Sequence, residues 1–418
     1  MLKLTVHNKV LCYAACIMCL LSCLPALSAA GGQIHGAKSA AMGTAYTAVA
    51  DDPSAITNNP AGIVTLKGKK IYGGVTAIIP YTEYTSTSGE SEDSKDQVFF
   101  PPHLYMTSNF GFDDWGFGLG VFSPLGIGGT EWDSKGLTRY VSTESLLSTI
   151  AVSPAIAWRV FPWLSVGAAV RHTFSSITEE KKISQAAFGA SDAALKIDGK
   201  GRGWGYGIGF LFFPGETLSF GVNYASGSDI DQDLTLSLKD IAPAIQPFIG
   251  DSNFETDASG TFSSPPCVSF GVAYRPNNFW TFTCDIEWIG WSAYDKMYLD
   301  LYREVPIAGL TDSILYFDFR DTWSFKIGMD YKIFEAFSLR TGYNFSQNPV
   351  PEHRLGPGNP DSNQHKVSVG FGFRHGKLVL DTFYAAVIYE NRNVHNEILS
   401  GEYESYVHMS GISLGYEF

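Results

Sequence analysis

From Lys69 to Phe418 large apolar residues fall on alternate positions along one segment after another. Ile156 and Trp158 alternate with Ala155, Ala157 and Arg159, and Phe325, Ile327, Met329 and Tyr331 alternate with Lys326, Gly328 and Asp330. Leu164, Val166, Ala168 and Val170 likewise alternate with Ser165, Gly167, Ala169 and Arg171. A period of two predicts strands with one greasy face and one small or polar face. About fourteen such segments begin near residues 69, 97, 115, 148, 163, 198, 217, 259, 279, 313, 336, 365, 377 and 406, many with the ~9 to 11 residues that a tilted membrane strand needs.

The connections alternate too. Short links are expected at Gly111 to Asp114, Phe161-Pro162, Pro214 to Glu216, Pro276 to Asn278, Phe334-Glu335 and His375-Gly376. Long polar loops are expected at Thr85 to Asp96, Gly126 to Glu144, Thr178 to Asp192, Ser228 to Ser252, Val350 to Asn363 and Asn391 to Glu404. Short turns on one rim and long loops on the other point to an all-β transmembrane antiparallel barrel of the outer-membrane type. A secreted soluble sandwich would have to bury every apolar face, and it gives no reason for Trp158, Trp280, Trp288, Trp291 and Trp323 to gather near strand ends, where bilayer interfaces collect aromatics. The chain ends on an amphipathic strand with a terminal aromatic, Phe418.

Residues 31 to 68 do not alternate. Ala37 to Ala50 is mostly Ala, Gly, Ser and Thr, and Asp51-Asp52-Pro53-Ser54 and Asn58-Asn59-Pro60-Ala61-Gly62 follow as breaks. Fourteen strands enclose more space than their own side chains fill, so a compact segment of small residues suits a lumenal plug. A disordered tail is the alternative. The expected organisation is a signal segment at 1 to 30, an N-terminal hatch at 31 to 68 and a barrel at 69 to 418.

The signal reading rests on Lys3 and Lys9, the apolar run Val10 to Leu27 and the small residues Ser28-Ala29-Ala30. Leu20-Leu21-Ser22-Cys23 loosely resembles a lipobox, but an ordinary cleavage site follows it. Once the signal is removed, Cys267 and Cys284 are the remaining thiols; their parities differ, so they face opposite sides of the sheet and do not pair. Beyond the N-terminus no apolar run is long enough for a spanning helix, which excludes a helical membrane protein. A formal charge of -13 argues against nucleic acid as a partner.

Several segments, in order, resemble the FadL-type outer-membrane transporters of long-chain fatty acids and hydrocarbons. They are Ser39 to Gly62 with its Asn59-Pro60-Ala61-Gly62 tetrapeptide, Phe117 to Gly126, Ser153 to Arg159, Asp285-Ile286-Glu287-Trp288 with Trp291-Ser292, and Leu339 to Tyr343 followed by Pro349-Val350-Pro351. The resemblance implies a fourteen-stranded barrel with a lumenal hatch in the outer membrane of a Gram-negative bacterium. It further implies a hydrophobic ligand that binds first at the extracellular side and leaves sideways, into membrane lipid, through a gap beside a kinked third strand. The final strand resembles the signal read by the outer-membrane assembly machinery, and a monomer is expected.

Residues fit that route. Over Trp115 to Pro124 the inward positions are Gly116, Gly118 and Gly120, and Pro124 cannot donate to a ladder. A bare inner face leaves volume for a lateral gate; the other reading is that the glycines make room for the hatch. A later strand repeats the device with Gly203, Gly205, Gly207 and Gly209, and there room for the hatch is the better reading. Among inward charges, which include the acids Asp285, Glu287, Asp330 and Asp381, Arg171, Lys326 and Arg340 are the candidates to hold a carboxylate headgroup, with ion pairing across the wall or tying down the hatch as the alternative. There is no Gly-x-Ser-x-Gly elbow and the histidines are scattered, so neither catalysis, a cofactor nor a metal is expected. Fatty acids lead as ligands, neutral aromatic or aliphatic hydrocarbons follow, and a general porin is the remaining rival.

Overall fold

The computed structural model describes residues 34–306 and 310–418, so the expected signal segment lies outside the described residues. The body is a closed 14-strand antiparallel barrel. In chain order its strands are β1 (Lys69–Ser86), β2 (Pro102–Ser108), β3 (Trp115–Phe122 and Ile127–Glu131), β4 (Glu144–Phe161), β5 (Leu164–Ile183), β6 (Ala193–Phe212) and β7 (Leu218–Ala225 and Ser228–Lys239). There follow β8 (Phe254–Ser264 and Cys267–Tyr274), β9 (Trp280–Ile289 and Lys296–Leu301), β10 (Ser313–Tyr316 and Thr322–Phe334), β11 (Phe337–Ser346), β12 (Gln364–His375), β13 (Leu378–Tyr389) and β14 (Gly401–Glu417). Each strand pairs with its chain neighbours, and β14 returns to β1 from Lys70↔Glu417 to Ser86↔Gly401. Closure leaves no sheet edge, which lipid requires because it cannot satisfy a free backbone N–H or C=O.

The alternation resolves into two faces. Leu119, Ile156, Trp158, Phe325 and Ile327 point outward and are exposed to what is bilayer in place, while Ser153, Ala157, Thr283 and Ser324 are buried inside. Cys284 is exposed on the outer face and Cys267 is turned inward, both unpaired. Aromatic contacts ring the belt: Trp115 stacks on Trp158 at 5.6 Å, Trp280 on Tyr331 at 4.0 Å and Tyr81 on Tyr406 at 4.7 Å.

Several polar stretches expected as loops continue as strand. Ile127–Glu131 pairs with β4, β5 runs on to Ile183, and β7 runs on to Lys239. The reason lies in an inversion of polarity. On Ser228–Lys239 the outward residues Asp229, Asp231 and Asp233 are exposed, while Ile230, Leu234 and Leu236 are buried in an apolar cluster with Met297, Leu299 and Phe317. These strands have left the bilayer, and above it the apolar face turns inward as in a soluble protein. Polar residues without greasy outward partners then look like loop.

Inside the barrel lie α1 (Ala37–Ala41), α2 (Ala55–Asn58) and a 3₁₀ turn at Pro60–Thr65. Their small residues are buried: Ala41, Ala45, Ala50, Ala55 and Ala61 have no exposed surface. The wall meets them with glycine. A Cβ on Gly342 would strike Gly43, one on Gly328 Met42, one on Gly221 Thr47, one on Gly209 Asn59 and one on Gly167 Ala61. Small residues on both sides let backbone approach backbone.

Candidate functional site

The N-terminal segment is fixed in height by polar groups on the wall. The Asp285 carboxylate accepts from the backbone N–H groups of Tyr46 and Thr47, both at 2.9 Å. Ser368 Oγ accepts from Gly43 N at 3.0 Å and donates to Ala41 O at 3.1 Å, and Ser413 Oγ accepts from Ala37 N at 3.0 Å. Asn59 explains the conspicuous tetrapeptide. Its Nδ2 donates to Thr47 O at 2.9 Å and to Phe210 O on β6 at 3.1 Å, while its Oδ1 accepts from Ala61 N at 3.1 Å and caps the turn that Pro60 opens. Gly62 packs against Ala50, where a Cβ would strike the Ala50 carbonyl. Asp285 was legible as an inward charge that could tie the segment down, whereas nothing local in the sequence marks Ser368 or Ser413 as anchors.

Lys38 Nζ reaches Asp51 Oδ1 at 2.6 Å, and Tyr46 Oη donates to Asp52 Oδ2 at 2.8 Å as well as to Asp51. Burial alone would raise the Asp51 carboxyl, but the Lys38 ammonium and the Tyr46 hydroxyl outweigh it and hold the group down at about 2. His35 is pushed down to about 3, first by burial and then by His103 and Arg171, so it is neutral at ordinary pH.

On the long-loop side of this segment lies a cavity of about 270 Å³, a chamber rather than a packing defect, since one water needs only ~10 to 15 Å³ on such a measure. Its lining includes His35, Ile56, Arg171, Cys267, Glu287 and Lys326. The three predicted cations part company here. Lys326 lines the chamber but is paired with Glu287 at 2.8 Å, whose other oxygen accepts from Ser269 at 2.8 Å. Arg171 lines it with one Nη2 bond to Ser226 O at 3.1 Å, no carboxylate within ion-pair distance among the described residues, and a buried Nε without a partner. Arg340 does not line it. Its guanidinium bridges Asp330 (2.9 Å) and Asp381, and Asp381 also accepts from Tyr72 Oη at 3.0 Å, joining strands β1, β10, β11 and β13.

The chamber reaches a break in the wall between β2 and β3. Their ladder runs from Ser108↔Phe117 up to Leu104↔Val121. Beyond it Pro101, Pro102 and Pro124 supply no N–H on either side. Between Phe99 and Pro102 the chain bonds to β1, through Ile78↔Phe99 and Thr76 N to Pro101 O at 3.2 Å, and Ile127–Glu131 forms its ladder with β4 alone. The lining includes Phe99 and Pro101 on one edge, and Ser123, Pro124, Leu125, Gly126 and Gly128 on the other. Tyr81, stacked on Tyr406 of the outer face, lines it too.

Gly116, Gly118 and Gly120 do not border empty volume. A Cβ on Gly116 would meet the Ile63 carbonyl at 2.8 Å, one on Gly118 the Ile56 side chain at 2.7 Å and one on Gly120 the Tyr105 ring at 2.9 Å. The N-terminal segment and β2 fill the space that the bare inner face leaves, and the break begins beyond them, at Ser123. On β6, Gly209 abuts Asn59, Gly205 lies beside the Arg171 guanidinium, and a Cβ on Gly207 would meet the Tyr224 carbonyl at an ordinary 3.6 Å.

Residues 21–418 match the family described as outer membrane protein transport protein (OMPP1/FadL/TodX). The chain is 22% identical over 382 residues to a long-chain fatty acid transport protein of Escherichia coli O6:H1, covering 82% of this chain and 83% of that one. It is 23% identical over 403 residues to the putative outer membrane protein NMB0088 of Neisseria meningitidis serogroup B, covering 86% of each. Among solved structures, a Pseudomonas aeruginosa FadL homologue superposes with a TM-score of 0.82 at 18% identity, over 93% of this chain and 100% of that one. The Pseudomonas putida toluene transporter TodX gives 0.73 at 18% identity, over 92% and 99%. With the family match spanning nearly the whole chain and the barrel shared with both solved structures, this chain belongs to the OMPP1/FadL/TodX family of outer-membrane transport proteins.

Proposed function

We propose that this protein takes up long-chain fatty acids or chemically similar hydrophobic compounds, with residues 31 to 68 as a hatch that blocks a straight path to the periplasm. The ligand occupies the chamber and leaves sideways, through the break between β2 and β3, into the surrounding lipid. The observation that carries this reading is the continuity of chamber and break, because an acyl chain taking that path never crosses water. Arg171 is the headgroup contact: a cation without a carboxylate partner on an otherwise neutral stretch of wall offsets the desolvation of a carboxylate. Lys326, neutralised by Glu287, and Arg340, committed to two aspartates, are assigned to holding the wall and the hatch.

The test is a steric block at the break. Gly128 has open space where a side chain would project, and its backbone is not left-handed. Gly128→Trp should abolish uptake of a labelled long-chain fatty acid while heat-modifiability reports a folded barrel; undiminished uptake would remove the lateral route. Neutral hydrocarbons are the second reading, favoured by the Lys326–Glu287 pair, which leaves one cation in the chamber.

A further inference from the structure

The break in the wall does not run to the rim. Above it Glu131, the last residue of β3, reaches across to the chain that leads into β2. Its backbone carbonyl accepts from Lys95 N at 2.7 Å, its Oε1 pairs with Lys95 Nζ at 2.7 Å and its Oε2 accepts from Gln97 Nε2 at 3.1 Å. A second carboxylate reinforces the crossing from the opposite side: Glu92 accepts from Asp133 N at 3.2 Å and from Thr138 N at 2.9 Å. The opening is therefore framed on every side, by the Leu104↔Val121 ladder below, by Phe99 and Ser123 at the edges and by Glu131 above.

A closed frame has a consequence that an open slit does not. A slit lets a wide, rigid molecule part its edges from the top, whereas a frame passes whatever can enter end-on and excludes what is broader than its opening. We propose that Glu131 is the residue that determines the width of the exit, through its hold on Lys95 and Gln97, and so restricts it to slender ligands such as unbranched acyl chains. The inference rests on the lateral route proposed above. Glu131 and Lys95 are both partly exposed, so their pairing is screened and adds little to barrel stability. Its effect is geometric, and removing it leaves the ladders of β1, β2, β3 and β4 in place.

The experiment compares two acids with the same headgroup, a linear hexadecanoic acid and a fatty acid ending in a pyrene group, as competing substrates in cells with heat-modifiability as the folding control. Glu131→Ala should raise the ratio of bulky to linear uptake severalfold. Lys95→Ala combined with Gln97→Ala, which removes the same side-chain contacts from the other edge and, like Glu131→Ala, leaves the backbone bond between Lys95 N and Glu131 O, should do the same. Glu131→Gln, which keeps an acceptor oxygen, should fall between Glu131→Ala and the parent. A ratio unchanged in both Glu131→Ala and the double variant, while Gly128→Trp still abolishes uptake of the linear acid, would overturn the width assignment and leave the lateral route standing. If Gly128→Trp has no effect, the route itself fails and the assignment falls with it.

Discussion

Asp285, on the inner face of β9, holds Thr47 by its backbone N–H at 2.9 Å and takes the N–H of Tyr46 with the same oxygen. A carboxylate that accepts two buried backbone donors is a strong anchor, since hydrogen bonds to charged groups are worth ~1.5 to 3 kcal/mol each. Asp285→Ala strands both donors and should loosen the hatch without unfolding the barrel. In planar bilayers it should show more frequent open events than the parent, and Asp285→Asn, which keeps an acceptor, fewer than Asp285→Ala. Identical traces for all three would detach Asp285 from hatch retention.

Deleting residues 31 to 64 removes the proposed hatch while leaving every barrel strand intact. The product should remain heat-modifiable and conduct passively at a higher level, because no wall side chain is long enough to fill the vacated lumen. Conductance equal to that of the parent would mean the segment blocks nothing.

Arg171→Ala and Arg340→Ala should separate binding from structure. The first removes a charge-assisted contact of ~1.5 to 3 kcal/mol and should weaken fatty acid uptake by about ten- to a hundredfold, with neutral hydrocarbon uptake spared. The second leaves Asp330 and Asp381 without their shared cation, a loss of ~3 to 5 kcal/mol, and should lower the unfolding temperature and affect both substrates alike. Thermal unfolding and two-substrate uptake on the same samples decide the matter. A selective loss in Arg340→Ala would reverse the assignment.

Cysteine labelling in intact cells, in a Cys267→Ser and Cys284→Ala background, should find Ser88, Ser191 and Glu397 accessible from outside and Asp113 and Asn277 protected. All five positions are exposed in the structure, so protection would report sidedness rather than burial. Labelling of Asp113 or Asn277 from outside would invert the orientation.

Legibility followed the physics of each region. Within the bilayer, lipid on one side and a polar lumen on the other impose a period of two, so β1, β3, β5 and β9 begin at Lys69, Trp115, Leu164 and Trp280, within one residue of where alternation places them. Above the bilayer that contrast reverses, and Asp229, Asp231 and Asp233 hid a strand. The glycines of β3 were visible, but what fills the space beside them was not, because Ile56 and Ile63 arrive from a segment whose small residues carry no periodicity. The cation proposed to meet the headgroup was one of three candidates by parity alone. Only the neighbours Glu287, Asp330 and Asp381, set across the sheet by register, single out Arg171.

The glycine contacts between hatch and wall have a mechanical meaning. Gly342, Gly221, Gly209 and Gly167 offer no side chains that interlock with the segment they face, so the seat behaves as a smooth bearing, stiff against compression and with little friction along the barrel axis. Resistance to axial sliding then resides in a few hydrogen-bonded rivets, at Ser413, Ser368, Asp285, Ser219 and Asn59. Pulled from its N-terminus in a single-molecule experiment, such a segment leaves in a short series of discrete ruptures, one per rivet, and Ser368→Ala erases one of them. A smooth, continuous extraction would mean that the wall grips the hatch along its whole length.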